Sequence, residues 1–322
     1  MSKAAARRVA DQSIQPSAPI SRITGWLVEN GGIWTLCNIR SLLPPVVPVN
    51  AVDEEGRPLS RGQQLVVILR NMAISLASGI ITEQGSVLLL HLVSTRLYPH
   101  VKHFGAARRS AHPLTLNAYA DWSLGNGKLQ MMGSCLALGL IESFMPAFVY
   151  TELEETPFRP ARALRNFLCF RVVVDLAFYL SHRQLHVNPF LYKHIHRRHH
   201  EHYTTNLRTN YHFHWLDLFI ESAFPIWMGF MALRGAGVKL GRFEINLFMT
   251  AVGWHESGTH LGKPLPVISW CPPLSILWNL FQRPTAIEFH EVHHNRRHCN
   301  YGITEWIDFL AGTRVLRPQG PA

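Results

Sequence analysis

The chain has 322 residues, a formal charge of +10 and 47% hydrophobic residues, with a mean hydropathy of +0.03. That is enough chain for one large or two ordinary domains. The near-zero mean hides very apolar blocks that alternate with basic, histidine-rich ones. The five cysteines (Cys37, Cys135, Cys169, Cys271 and Cys299) are odd in number and form no C-x-x-C pair. They argue against a disulfide framework or a zinc knuckle and fit a reducing compartment.

Residues 1–60 carry Lys3, Arg7 and Arg8, a proline-rich stretch from Leu43 to Pro48 and the charged turn Asp53-Glu54-Glu55-Gly56. They are expected to form a mostly irregular cytosolic arm with no cleavable signal peptide. Leu65 to Ile81 and Val87 to Val93 are apolar runs separated by Thr82-Glu83-Gln84-Gly85. Each falls short of the roughly 20 apolar residues of a full span, and together they predict a helical hairpin in a membrane, with a re-entrant piece as the alternative for one of them. Met131 to Tyr150 is the cleanest span, with Glu142 its one charge. Phe167 to Leu180, Leu216 to Leu233 and Ile245 to Val252 are further apolar pieces.

Basic residues collect between these blocks: Lys102, Arg108 and Arg109; Arg159, Arg162 and Arg165; Arg197 and Arg198; Arg296 and Arg297. Connectors of this kind suit the cytoplasmic side of a membrane, and no nucleic-acid partner is expected. The organisation expected is an arm over 1–60, membrane helices over 61–160, a catalytic domain over 161–316 and a tail over 317–322. The fold class is all-α: an integral-membrane helical bundle with a cytosolic, histidine-rich metal-binding cap. A soluble all-α protein with long core helices is the alternative.

Fifteen of the nineteen histidines lie between His182 and His298. His182 and His186 stand at i, i+4, which places both imidazoles on one helical face about 6 Å apart at Cβ. His196, His199 and His200 form an H-x-x-H-H pattern, and His290, His293 and His294 repeat it. On a helix, adjacent histidines diverge by about 100° and point toward two different metals. Eight imidazoles gathered without a metal would repel when charged and lack partners when neutral and buried. Nitrogen ligation suits iron, copper or zinc, and spacing alone does not separate iron from zinc. His214, His255 and His260 are additional ligand candidates. The last two are five apart, so a helix break at Gly258 would be needed to bring them together.

These residues resemble the fatty acid hydroxylase/sterol desaturase superfamily over about residues 165–316. The resemblance rests on Asp175, Tyr179 and His182-Arg183-x-x-His186; on Tyr192-Lys193-x-x-His196-Arg197-x-His199-His200; and on His214-Trp215-Leu216-Asp217. It continues in His290-x-x-His293-His294, Asn300-Tyr301-Gly302 and Asp308-x-x-x-Gly312-Thr313. Trp215 departs from the proline usual after that histidine. The resemblance implies a di-iron site on the cytosolic face and multi-pass residence in the endoplasmic reticulum. It also implies O2 as co-substrate and electrons from a reductase through cytochrome b5. No His-Pro-Gly-Gly haem motif is present, so the donor is expected to be a separate protein. The expected activity is hydroxylation or desaturation of a membrane lipid, either a sterol or a fatty acyl chain. The eight core histidines would carry it, with Asp175, Glu291 and Asp308 accepting from imidazole N–H groups. A non-catalytic metal-binding or scaffold protein of the same fold is the alternative.

Overall fold

A computed structural model describes residues 19–51, 55–101, 103–104, 127–144, 157–202, 204–207, 209–276 and 286–316. Among these the protein is helical, with no β-strand. Helix α1 is Pro19–Ser41 and α2 is Arg61–Leu97. Helices α3 and α4 are Gly127–Phe144 and Pro160–Val187. A short helix α5 (Pro189–His194) leads into a 3-10 turn over His196–Glu201. Then come α6 (Trp215–Gly235), α7 (Arg242–Thr259), α8 (Ala286–Arg296) and α9 (Glu305–Leu310). Two of them, α2 and α6, are long and apolar enough to cross a membrane.

Two expectations are corrected here. The stretch read as an irregular arm contains α1, a 23-residue helix. Its Gly32 lets Trp254 of α7 approach closely, and its Glu29 accepts from the Ser269 N–H and hydroxyl. This helix was illegible because the proline and charge signals around residues 43–56 dominate the composition, while α1 gains its stability from tertiary contacts.

The expected hairpin is instead one 37-residue helix, α2. Thr82-Glu83-Gln84-Gly85 stays helical, with Ile80–Gln84 wound as a π-turn. Its polar residues turn inward rather than out of the helix. The Thr82 hydroxyl accepts from Arg40, Glu83 accepts from Ser257, and Gln84 donates to the Tyr211 hydroxyl. Gly85 serves close approach, because a Cβ there would meet Leu36 at 2.6 Å.

In α3 the described apolar run is Met131–Ile141, and residues 145–150 of the expected span lie outside the described residues. Ser60 caps α2 through a reciprocal capping box with Gln63. Helix α4 packs on α6 and holds two opposite faces. Val172, Leu176 and Leu180 are exposed, while Arg171, Asp175 and His182 are buried. The i, i+4 and i, i+7 spacings within these sets place an apolar stripe outside and a polar stripe inside.

The α2–α3 crossing depends on Gly139, where a Cβ would stand 2.6 Å from Met72 Cα and 2.7 Å from Asn71 O. Backbone rather than a flexible side chain would have to move. Gly139→Val is therefore expected to destabilise the protein by about 1–3 kcal/mol, read as a lower unfolding midpoint in detergent. Gly133→Val, with open space at its Cβ, is the control.

Candidate metal centre

The histidines gather on four elements: the last two turns of α4, the 3-10 turn, the C-cap of α7 and the C-terminal part of α8. They form two adjoining groups. His182, His186, His196, His200 and His293 make the first, and His199, His260, His290 and His294 the second. In each adjacent pair, His199/His200 and His293/His294, one ring goes to each group. The second motif is a 3-10 turn rather than the α-helix assumed from its spacing. The groups nearly touch, with the His200 and His294 ring centroids 4.6 Å apart.

Within each group the Nε2 atoms face one another. In the first, His186 and His182 are 3.2 Å apart, His182 and His196 3.3 Å, His196 and His200 3.0 Å, and His200 and His293 3.1 Å. In the second, His199 and His260 are 3.3 Å apart, His260 and His290 2.9 Å, and His290 and His294 3.1 Å. A neutral imidazole carries one proton. In four rings the proton is claimed on the far side. His182 Nδ1 donates to Tyr301 O at 2.8 Å, and His293 Nδ1 to Cys299 O at 2.8 Å. His260 Nδ1 donates to Glu256 O at 3.0 Å, and His196 Nδ1 to the Asp217 carboxylate at 3.0 and 3.1 Å. Their Nε2 atoms are then lone pairs, and those of His182 and His196 face each other at 3.3 Å, an arrangement that fits a cation between them.

Burial lowers the pKa of every one of these rings, to about 4 for His260 and His293. The cause is desolvation first, reinforced by neighbouring imidazoles in most of them. The rings are therefore neutral and ready to ligate at neutral pH.

His260 reaches its group without a break at Gly258. Helix α7 runs on to Thr259 and His260 caps it, while Gly258 leaves room for Ile268. His255 and His214 are not brought to either group. The His255 Nδ1 donates to Ser269 O at 2.9 Å on another side of the pocket. His214 is the N-cap of α6, its Nδ1 accepting from Leu216 N–H at 3.2 Å.

The three expected carboxylate acceptors are also corrected. Asp175 accepts from Ile303 N–H, Thr304 N–H and hydroxyl, and Trp306 Nε1. Asp308 accepts from Tyr301 N–H, Gly302 N–H and the Thr313 hydroxyl. Glu291 accepts from Thr205 and Asn295. Asp175 and Asp308 thus hold the 301–304 loop, and that loop offers its Tyr301 carbonyl to His182. Asn300 adopts a left-handed φ of 56°, which asparagine tolerates, and its side chain ties Phe289 O to Val315.

Two residues escaped the sequence reading in this role. Asp217 is a carboxylate that accepts directly from the ring of His196. Glu221, in the π-turn Phe219–Ala223, sits 3.2 Å from His182 Nε2. Their i, i+4 spacing was the available signal. Both His groups open on a pocket whose apolar lining includes Val174, Phe178, Ile226 and Val252.

Residues 167–313 match the fatty acid hydroxylase family. The resemblance to the fatty acid hydroxylase/sterol desaturase superfamily holds. Three curated relatives are similar. The chain is 25% identical to the human "Fatty acid hydroxylase domain-containing protein 2" over 154 residues, 48% of this chain and 39% of that protein. It is 27% identical to the "Very-long-chain aldehyde decarbonylase GL1-11" of Oryza sativa subsp. indica, over 56% of this chain and 64% of that one. It is 24% identical to "Methylsterol monooxygenase 2-1" of Arabidopsis thaliana, over 58% and 70% respectively. The match to the human protein spans about two fifths of that protein's length. No solved structure matches.

Two predictions follow from this geometry. Asp217→Asn leaves the shape but offers His196 an amide in place of a carboxylate, and is expected to weaken metal affinity about 10–100-fold, read by metal retention against a chelator series. The second concerns pH. The folded-state values near 4 for His260 and His293 lie below the unfolded value of about 6.5. The unfolded chain therefore binds more protons between them, and stability present above pH ~6.5 is lost as pH falls toward ~4. The buried Glu29 carboxyl, pushed up to about 8 by burial, has the opposite slope, so thermal unfolding of chelator-stripped Glu29→Gln protein across pH 4–8 should show its midpoint falling in that window.

Proposed function

We propose that this protein is a membrane-embedded, O2-dependent oxidoreductase that hydroxylates or desaturates a lipid at a pair of histidine-held iron ions. One observation carries the reading: nine Nε2 atoms converge in two adjoining groups on one apolar pocket. The first ion would be held by His182, His186, His196, His200 and His293, and the second by His199, His260, His290 and His294. When bound, such a pair supplies O2 activation at a C–H bond. The balance is RH + O2 + 2 e− + 2 H+ → ROH + H2O. For desaturation, two hydrogens leave the substrate and two waters form.

The chain's own residues do the rest. Asp217 and the Tyr301 and Cys299 carbonyls orient the rings, and Val174, Phe178, Ile226 and Val252 exclude water and receive a hydrocarbon. The exposed apolar stripe Val172–Leu176–Leu180, with Leu65, Val66 and Leu69 on α2, supports placement in a bilayer. It would let a lipid enter sideways. In this reading residues 61–160 contribute membrane helices, 161–316 the catalytic domain, and the site faces the cytosol at the endoplasmic reticulum. Electrons come from a separate donor such as cytochrome b5 with its reductase. Arg197, exposed, and the half-buried Arg198, Arg296 and Arg297 lie next to the histidine motifs in sequence and offer a basic docking surface.

The deciding experiment combines metal analysis with lipid mass spectrometry on membranes with and without the protein. Two iron ions per chain and an O2-dependent change in a lipid are expected, the change vanishing in His199→Ala and His293→Ala. One metal at full occupancy defeats the two-metal reading, and turnover under strict anaerobiosis defeats the oxygenase. Neutralising the four arginines should slow reduction and flatten its salt dependence with metal content intact.

A further inference from the structure

Among the pocket-lining residues, four buried polar atoms have no hydrogen-bond partner: Nδ1 of His199, Oε1 of Glu221, Nη2 of Arg171 and Nε2 of His255. Arg171 and His255 belong to neither histidine group, and the Arg171 charge acts on the His255 ring. The two residues are 1% and 6% exposed, and both line the pocket that reaches His182 and His290. Their neighbourhood is fixed by consecutive backbone carbonyls. Arg171 Nε donates to Trp270 O at 3.3 Å, and His255 Nδ1 donates to Ser269 O at 2.9 Å. Ser269 is itself clamped by Glu29 of α1 through its N–H and its hydroxyl. This is a built site, braced from the N-terminal helix.

The two atoms have opposite needs. Arg171 Nη2 is a donor. With its proton on Nδ1, a neutral His255 presents Nε2 as an acceptor. The Ile303 carbonyl near this ring is another acceptor and gives it no proton. A buried donor and a buried acceptor left open are each costly, and one group satisfies both: a hydroxyl, which accepts from Arg171 and donates to His255. A carboxylate head fits less well. It brings no proton for His255, and the Arg171 charge is already faced by Asp175 one turn along α4 and by Glu29.

Resting on the lipid-oxygenase reading, we propose that Arg171 and His255 form the head-group subsite of the pocket and select a lipid bearing a neutral hydroxyl. The subsite is set back from the metal centre. Along α4, Arg171 precedes His182 by eleven residues, about 16 Å of helix rise. Along α7, His255 precedes His260 by five residues, about 7.5 Å. The hydroxyl is therefore an anchor, and the oxidised carbon is a different one further along the molecule.

The test is equilibrium binding to the metal-loaded full chain in detergent, with two probe pairs and one acid. Cholestanol is compared with cholestanone, and 2-heptadecanol with 2-heptadecanone; palmitate is the charged probe. Each ketone matches its alcohol in size and accepts from Arg171, but has no proton for His255. In the unmodified protein the alcohol of at least one pair is expected to bind about tenfold more tightly than its ketone, the value of one hydrogen bond. The pair that responds tells a sterol from an open chain. His255→Phe should bring the ratio to about one with ketone binding unchanged, whereas Arg171→Met should weaken alcohol and ketone alike. Equal binding of alcohol and ketone by the unmodified protein overturns the subsite, as does a preference that survives His255→Phe or tighter binding of palmitate than of either alcohol. If none of the five probes binds, the lipid reading of the pocket fails and the subsite falls with it.

Discussion

The structure turns on where nine imidazole protons sit. Rings packed with Nε2 atoms about 3 Å apart present lone pairs to a cation only where the proton is kept on the other nitrogen. Backbone carbonyls at Tyr301, Cys299 and Glu256, and the Asp217 carboxylate, do this for four of the rings. A tautomer flip at any of them would put an N–H into the centre and turn a ligand into an obstacle.

Much of the surrounding polar architecture serves those acceptors at one remove. Asp175 and Asp308 spend their oxygens on backbone N–H groups and hydroxyls of the 301–304 loop rather than on rings. The left-handed Asn300 bends the chain between Cys299 and Tyr301, so that both carbonyls turn back toward the histidines. A carboxylate that accepts several hydrogen bonds fixes a loop more rigidly than one bond to a ring would fix that ring. The same economy operates on the far side of the pocket, where Glu29 secures Ser269 and Ser269 secures His255.

Helix α4 joins the apolar exterior to this polar interior. One stripe of it is exposed hydrocarbon and the other carries Arg171, Asp175, His182 and His186 in succession, one turn or a few apart. The outer hydrocarbon and the inner hydrogen-bonding groups are separated by a single helix diameter, about 10 Å. The π-turns in α2 and α6 add to this by rotating Glu83 and Glu221 inward from otherwise apolar helices, a use to which such turns are often put.

Periodicity and motif spacing, taken alone, determined the helical class, the three histidine motifs and the division of adjacent histidines between two groups. Those properties are local: an i, i+4 pair shares a face, and neighbouring residues diverge, in whatever context the helix is placed. Tertiary structure decided the rest. It made one long helix where Thr82 to Gly85 read as a turn, because partners on α1, on α7 and at Tyr211 satisfy those polar groups within the fold. It formed α1 from a stretch whose own signals were weak. It separated His260 from His255 and set His214 to capping a helix, since equal histidines join a cluster, meet a carbonyl or cap a helix according to what faces each nitrogen. The role of Asp175 and Asp308 was hidden for the same reason: a carboxylate's partners come from distant parts of the chain, and sequence spacing holds no record of them.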